Sequence, residues 1–253
     1  MTLPRPGNAF RSALADADTA TGRAAGPVDQ FAESLANAHP AAIIEAALRT
    51  VGAGRLCLVS SFGTESAVLL AYAAQVDRSI PVIFLDTGWL FEETLAYRDT
   101  LAARLALTDV RSIPPDPARA AALDGGRDLW FTDPDTCCAI RKVEPLARAL
   151  ENFDGWLNGR KRYQGGLRAS IPVVERDGAR LKFNPLAALD RAAVEAAHRQ
   201  FALPDHPLTA KGFSSLGCMP CTSRAAEGED ARAGRWRGKA KTECGIHTRL
   251  TAE

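Results

Sequence analysis

Arg55-Leu56-Cys57-Leu58-Val59-Ser60 runs directly into Ser61-Phe62-Gly63-Thr64-Glu65-Ser66 and then into the apolar stretch Ala67 to Val76. The first segment predicts a short buried strand, the second a loop and the third a helix. The same unit returns at once. Pro81-Val82-Ile83-Phe84-Leu85 predicts a second strand, Asp86-Thr87-Gly88 a second loop and Glu92 to Leu105 a second helix, with Val110–Ile113 as a third strand. Strand, loop and helix repeated in this order imply an α/β fold, a parallel sheet with helices on both faces. Ligands of such sheets sit beyond the carboxyl ends of the strands, where these two loops fall.

Upstream, Phe31, Leu35, Ile43, Ile44 and Leu48 recur at helical spacing and predict one or two helices between Val28 and Thr50. Residues 1–27 are rich in Ala, Arg, Gly and Pro without a period, which predicts a loosely ordered extension. Downstream, Asp135 to Asn152 reads as a helix and Trp156-Leu157 as the start of a strand. Val173–Phe183 reads as a hairpin turning at Asp177-Gly178, and Ala192–Phe201 as a last helix. After Pro204 the chain is rich in Gly, Ser and Arg and holds little that builds a core. The expected division is an extension (1–27), an α/β domain (28–225) and a mobile tail (226–253).

The 253 residues suit one larger α/β domain with an appended tail. A net charge of +1 gives no global attraction to nucleic acid or to an anionic membrane. Any anion site therefore comes from a local cluster of Arg and Lys. No apolar run approaches the roughly 20 residues of a membrane helix, and residues 1–27 contain no apolar segment of the secretory kind. The expected location is the cytoplasm, where disulfides are rare and grouped cysteines bind metal or do chemistry.

Six cysteines are present. Cys57 lies within an apolar strand and reads as a small buried hydrophobe. Cys137-Cys138 and Cys218-Met219-Pro220-Cys221 form two pairs. Four thiolates suit a tetrahedral Zn²⁺ or a [4Fe–4S] cluster. Successive helical residues point about 100° apart. A vicinal pair therefore strains to meet one ion, yet can reach separate corners of a cluster. On spacing alone both readings stand. Lys142 follows Cys138 by one helical turn, which places its ammonium beside the thiolates or leaves it a solvated helix lysine.

The sixth cysteine, Cys244, stands apart in Lys241-Thr242-Glu243-Cys244-Gly245-Ile246-His247. Cationic neighbours raise the thiolate fraction, so Cys244 reads either as a nucleophile or as an inert residue of a frayed tail. Arg232, Arg235, Arg237, Lys239 and Lys241 precede or flank it, with Trp236 among them. The run is either a solvated basic tail or a clamp on phosphate or sulfate oxygens, for which Arg is well shaped.

Together, Cys137-Cys138-x-x-Arg141-Lys142-x-x-Pro145-Leu146, Gly217-Cys218-x-x-Cys221 and Glu243-Cys244-Gly245-Ile246-His247 resemble the iron–sulfur adenosine 5′-phosphosulfate reductases of assimilatory sulfate reduction. The resemblance runs from about Val28 to His247. It implies an adenine-nucleotide α-hydrolase-like fold and a [4Fe–4S] cluster on Cys137, Cys138, Cys218 and Cys221. It implies that Ser60, Ser61, Phe62, Gly63, Thr64 and Glu65, with Leu85, Asp86, Thr87 and Gly88, line the nucleotide pocket, and that Gly159, Arg160 and Gln164 add contacts. Lys142, Arg232, Arg235 and His247 would surround sulfate and phosphate with compensating positive charge. Cys244 would take the sulfonate group, thioredoxin would release it as sulfite, and the enzyme would form a homo-oligomer. The loop from Ser60 replaces the Ser-Gly-Gly-x-Asp-Ser loop of related ATP pyrophosphatases, so ATP cleavage is not expected.

Three rival readings follow. The first is the same reaction on 3′-phosphoadenosine 5′-phosphosulfate, whose dedicated enzymes usually lack the four cluster cysteines. The second is a tRNA-thiolating enzyme, which should carry the pyrophosphatase loop. The third is a non-catalytic zinc module.

Overall fold

A computed structural model describes residues 26–226, 228–230 and 232–247. Nearly all of the expected N-terminal extension, and the residues after His247, lie outside the described residues. Two helices open the described chain, α1 (Pro27–Ser34) and α2 (Pro40–Val51), each started by a proline in its first turn. Then come β1 (Leu56–Val59), α3 (Thr64–Val76), β2 (Val82–Leu85), α4 (Glu92–Arg104) and β3 (Val110–Ile113). Two short helices not foreseen from the sequence follow, α5 (Pro117–Leu123) and α6 (Leu129–Thr132). The cysteine-bearing helix is α7 (Pro134–Cys138), continued by a π-helical turn (Ala139–Val143) and α8 (Glu144–Leu150). The chain closes with β4 (Gly155–Leu157), the hairpin β5 (Val174–Asp177) and β6 (Arg180–Phe183), and α9 (Arg191–Gln200).

The six strands form one sheet in the order β3-β2-β1-β4-β6-β5. All neighbours are parallel except β5, which pairs antiparallel with β6 through a tight turn at Gly178, where φ is +61°. All four residues of β1 are buried, as expected of a central parallel strand covered on both faces. One face packs against α2, α3 and α9 through residues such as Ile43, Leu69 and Val194. The other packs Cys57, Ile83 and Trp156 against Leu146 and Leu150 of α8. Cys57 is fully buried, and burial drives its thiol pKa upward. From β1 the chain proceeds to β2 and β3 on one side and returns to β4 on the other. That reversal opens a crevice at the carboxyl ends of β1 and β4.

The expected single helix over 135–152 is in fact three-part. Pro145 has no N–H to offer the carbonyl four residues back, so the α-helical ladder is already interrupted there. The chain takes up the slack as a π turn, a form often found at functional sites. It lies between the cysteine pair and Pro145 and carries Arg141 and Lys142.

Candidate functional site

The loop after β1 and the loop after β2 border one cleft that opens to solvent. Ser60, Ser61, Gly63, Thr64 and Glu65 line it from the first loop, Leu85 and Thr87 from the second, and Gly159, Arg160 and Gln164 from beyond β4. Three loop residues expected there do not line it. Phe62 is fully buried, its ring edge-on to Phe84 at 5.4 Å, because a left-handed backbone (φ 50°) turns it into the core. The Asp86 Oδ1 accepts the Gly88 N–H at 3.1 Å, so Asp86 shapes the turn. Gly88 is exposed at φ +70° and serves the same turn.

Glu65 and Gln164 touch one another. The Glu65 carboxylate pairs with Lys161 Nζ at 2.8 Å and accepts from Tyr163 Oη at 2.7 Å and Gln164 Nε2 at 2.9 Å. Burial alone would raise the Glu65 pKa, but Lys161, Tyr163 and Arg191 outweigh it and hold the group ionised. Arg160 is buried, donates to Asn158 Oδ1 at 3.1 Å and Asn184 Oδ1 at 3.0 Å, and pairs with Glu175. These contacts fix the far wall of the cleft.

Positive charge gathers opposite. Lys142, Arg168, Arg232 and Arg235 line the cleft together with Cys244 and His247. Burial opposes charge on Lys142, but the facing sulfurs of Cys218, Cys244 and Cys138 outweigh it and raise its pKa. Burial, followed by Arg168, brings Arg232 down to about 10, so it stays cationic at neutral pH. Arg235 donates to the Leu216 carbonyl at 2.8 Å and stacks over Trp236 at 4.5 Å, while its buried Nε has no partner. Its guanidinium passes so close to Gly217 that a Cβ there would collide with it. The remaining basic residues of the run face elsewhere. Arg237 pairs with Glu229 at 2.6 Å, Lys239 donates to the carbonyls of Trp130 and Phe131, and Lys241 pairs with Asp135.

His247 departs from the expectation of a charged group. It is buried, stacked on Trp156 with ring centroids 5.9 Å apart and planes 4° from parallel. Burial, with Lys182, Arg160, Arg168 and Arg232 facing it, holds its pKa well below 6.5. It enters the site as a neutral ring. The tail also contributes to the interior, against the expectation from its composition: Trp236 is 3% exposed and Ile246 packs on the cluster around Trp156.

Cys137, Cys138, Cys218 and Cys221 line a second, smaller cavity with Trp89, Trp130 and Arg141. Lys142 and Cys218 border both cavities. Burial, then Cys138 and Cys218, pushes the Cys137 thiol up to about 12, and burial also raises Cys138 and Cys221. Such thiols are poor nucleophiles on their own, and metal ligation is the means by which buried thiolates are stabilised. The four sulfurs share one cavity. The indole N–H of Trp89, which lines this cavity, is buried without an acceptor. A sulfur-rich group would supply one. The four thiols and this unpaired donor therefore fit a thiolate-ligated metal centre.

Several residues of the site escaped the sequence reading. Lys161, Arg168, Trp89 and Asp124 each look like ordinary surface or core residues in sequence. Asp124, 3% exposed, pairs with Arg141 at 2.7 Å and so fixes the residue that donates to the Thr87 carbonyl at 3.0 Å. Of these, only the charge-rich segment Gly159-Arg160-Lys161-Arg162 directly after a strand offered a signal.

Fold and site together define a class: an α/β protein with a cationic cleft at the carboxyl ends of its strands, beside a group of four cysteines. A phosphoadenylyl-sulfate (PAPS) reductase structure from Candida auris, in a phosphate complex, superposes with a TM-score of 0.67 at 24% identity, covering 79% of this chain and 98% of that one. An FMN adenylyltransferase of Candida glabrata superposes at 0.54 and 13% identity, covering 86% of this chain and 73% of that one. Both likenesses concern the fold. Residues 55–224 match the phosphoadenosine phosphosulfate reductase domain, and the chain belongs to that family. A protein of Mesorhizobium japonicum named adenosine 5′-phosphosulfate reductase is 48% identical over 92% of this chain and 91% of its own length. One of Gloeobacter violaceus, named phosphoadenosine 5′-phosphosulfate reductase, is 43% identical over 87% of this chain and 93% of its own.

Proposed function

We propose that this protein reduces adenosine 5′-phosphosulfate to sulfite and AMP, with Cys244 as nucleophile, thioredoxin as reductant and a [4Fe–4S] cluster on Cys137, Cys138, Cys218 and Cys221. The observation that carries the reading is the segregation of the cysteines. Cys244 opens onto the cleft with Lys142, Arg232 and Arg235 and takes no part in the second cavity, which Cys137, Cys138, Cys218 and Cys221 share, with Cys218 bordering both.

In the proposed reaction the Cys244 thiolate attacks the sulfate sulfur. An S–S bond forms, the S–O bond to the AMP phosphate breaks, and AMP leaves with that electron pair. A thiolate approaching an anion needs compensating positive charge, which Lys142, Arg168, Arg232 and Arg235 supply. His247, being neutral, contributes a hydrogen bond or a wall. The product is an S-sulfonated Cys244, a covalent intermediate that divides the reaction in two. A thioredoxin thiolate then attacks Sγ of Cys244, sulfite leaves, and the second thioredoxin thiol closes the donor's disulfide while freeing Cys244. The dithiol supplies both electrons. A cluster held there would add a local electrostatic field, and Lys142 is the cation among the described residues that borders both cavities.

This reading carries a reducing compartment and a homo-oligomer as further expectations. No helix among the described residues is long and apolar enough to cross a membrane. The 43% likeness to a protein named for the 3′-phosphorylated substrate favours one second reading, use of that nucleotide as well.

The test is anaerobic incubation with adenosine 5′-phosphosulfate without thioredoxin, followed by intact mass and peptide mapping, with the 3′-phosphorylated nucleotide in parallel. A sulfonate on Cys244 that thioredoxin releases as sulfite is the expected result. No adduct with either nucleotide on protein with full iron and sulfide would overturn it, and zinc without iron would overturn the cluster.

A further inference from the structure

Trp156 on β4, Lys182 on β6 and Glu175 on β5 stand in one row across three adjacent strands, since Trp156 registers with Lys182 and Lys182 with Glu175. Lys182 is 2% exposed, an unusual place for a residue that is almost never fully buried without a partner. Its ammonium lies 4.8 Å above the Trp156 ring and 3.7 Å from Glu175 Oε1, and it donates to the main-chain carbonyl of His247 at 3.4 Å. The row is itself held rigid. The Trp156 indole N–H donates to Asp177 at 2.8 Å, and Glu175 accepts from Asn184 at 2.9 Å and pairs with Arg160. The His247 ring lies flat on the face of Trp156. Thus side chain and main chain of His247 both rest on this row, three residues beyond Cys244.

We infer that the cross-strand row Trp156–Lys182–Glu175 is a seat for the end of the tail, with Lys182 a positioning residue that fixes Cys244 against the cleft by holding His247. The inference rests on the reading of Cys244 as the nucleophile. Lys182 is absent from the residues lining the cleft, so its effect runs through the tail. An ammonium suits the task because it offers three donors, enough to engage Glu175 and a main-chain carbonyl at once. An aliphatic residue of like size would fill the space and leave the carbonyl without its donor.

The test uses the anaerobically purified, cluster-loaded full chain and follows the rate at which iodoacetamide alkylates Cys244, mapped by peptide mass, without nucleotide. Lys182→Met is expected to raise that rate several-fold and to slow S-sulfonation, while AMP affinity measured by calorimetry stays at the wild-type value. Lys182→Arg, which keeps charge and donors, should restore both rates in part. His247→Ala should raise alkylation by itself, and adding Lys182→Met to it should change nothing further. A Lys182→Met protein with normal iron content and AMP affinity whose Cys244 is alkylated at the wild-type rate would overturn the seat. If that variant fails to fold, wild-type alkylation in His247→Ala would overturn it equally. Alkylation needs neither substrate nor reductant, so a wild-type chain that forms no sulfonate adduct sinks only the reaction, and the seat is still judged.

Discussion

The Thr87 hydroxyl lies 3.2 Å from the Cys218 thiol, and both residues border the cleft. Thr87 lies within the turn after β2, and Cys218 belongs to the C-terminal cysteine pair, so this contact joins the strand-end loop to the cysteine side of the site. The Thr87 Oγ1 also accepts the Trp89 N–H at 3.3 Å, and Trp89 O accepts from Met219 N at 2.7 Å. The turn is thereby knit to the segment carrying Cys218 and Cys221.

Replacing Thr87 by Val removes the contact and keeps the shape. Two hydrogen bonds of Thr87 Oγ1 are lost, to Cys218 and from the Trp89 N–H, each contributing about 1 kcal/mol, so the fold should survive with a measurable loss in thermal stability. The absorbance of the proposed cluster should decay faster in air than in wild type, since the Cys218 side of the cavity loses a tether. Unchanged decay would show that the contact does not guard the cluster.

Cys244→Ser should keep its iron and bind AMP, because Cys244 is outside the second cavity. It should form no sulfonate adduct and turn over at background. Intact mass after exposure to adenosine 5′-phosphosulfate checks this.

Lys161 is buried against Glu65. Glu65→Gln strands that ammonium, and removing one partner of a buried pair costs about 3–5 kcal/mol. The double variant Glu65→Gln with Lys161→Met should be more stable than the single variant. Chemical denaturation of the three proteins decides it. A double variant less stable than the single would mean that Lys161 is held by something other than Glu65.

Gly217→Ala places a methyl group where the Arg235 guanidinium lies. The guanidinium must move, so affinity for adenosine 5′-phosphosulfate should fall markedly more than affinity for adenosine, which lacks the anionic groups. Equal losses would place Arg235 outside the anion site.

His247 has its pKa lowered by burial first, then by Lys182 and nearby arginines. A depressed basic group folds at a cost while pH lies below its folded pKa, and the cost disappears once pH exceeds the unfolded value near 6.5. Stability should therefore rise with pH through the interval below 6.5 and level off above it, as far as this group is concerned. NMR of the labelled ring should find its titration midpoint well under 6.5. A midpoint at or above 6.5 would restore the cationic role first expected of it.

The alternation of strand, loop and helix from Arg55 to Ile113 was legible because a parallel sheet demands short continuous apolar strands, and Leu56–Val59 and Val82–Leu85 are such runs, each followed by a loop and a longer helical stretch. The expected β1, β2 and β3 all appear in the sheet, and the hairpin turn at Gly178 was legible because a tight turn needs φ above zero. The cysteines, too, could be sorted into two pairs and a singleton by spacing alone. What spacing left open was zinc against cluster.

Tertiary structure decided the rest. Whether Phe62 faces ligand or core depends on one left-handed residue, which no period reports. Whether His247 is charged depends on the ring beneath it and the cations around it, drawn from β4, β6 and the segments that follow them. Arg141 and Asp124, Glu65 and Lys161, and Lys182 and His247 meet only when strands and helices distant in the chain are packed together. Local sequence sets the backbone's preferences and the pattern of apolar faces. The charge state and aim of a buried polar group are set by whatever the fold brings against it, and that is a property of the whole chain.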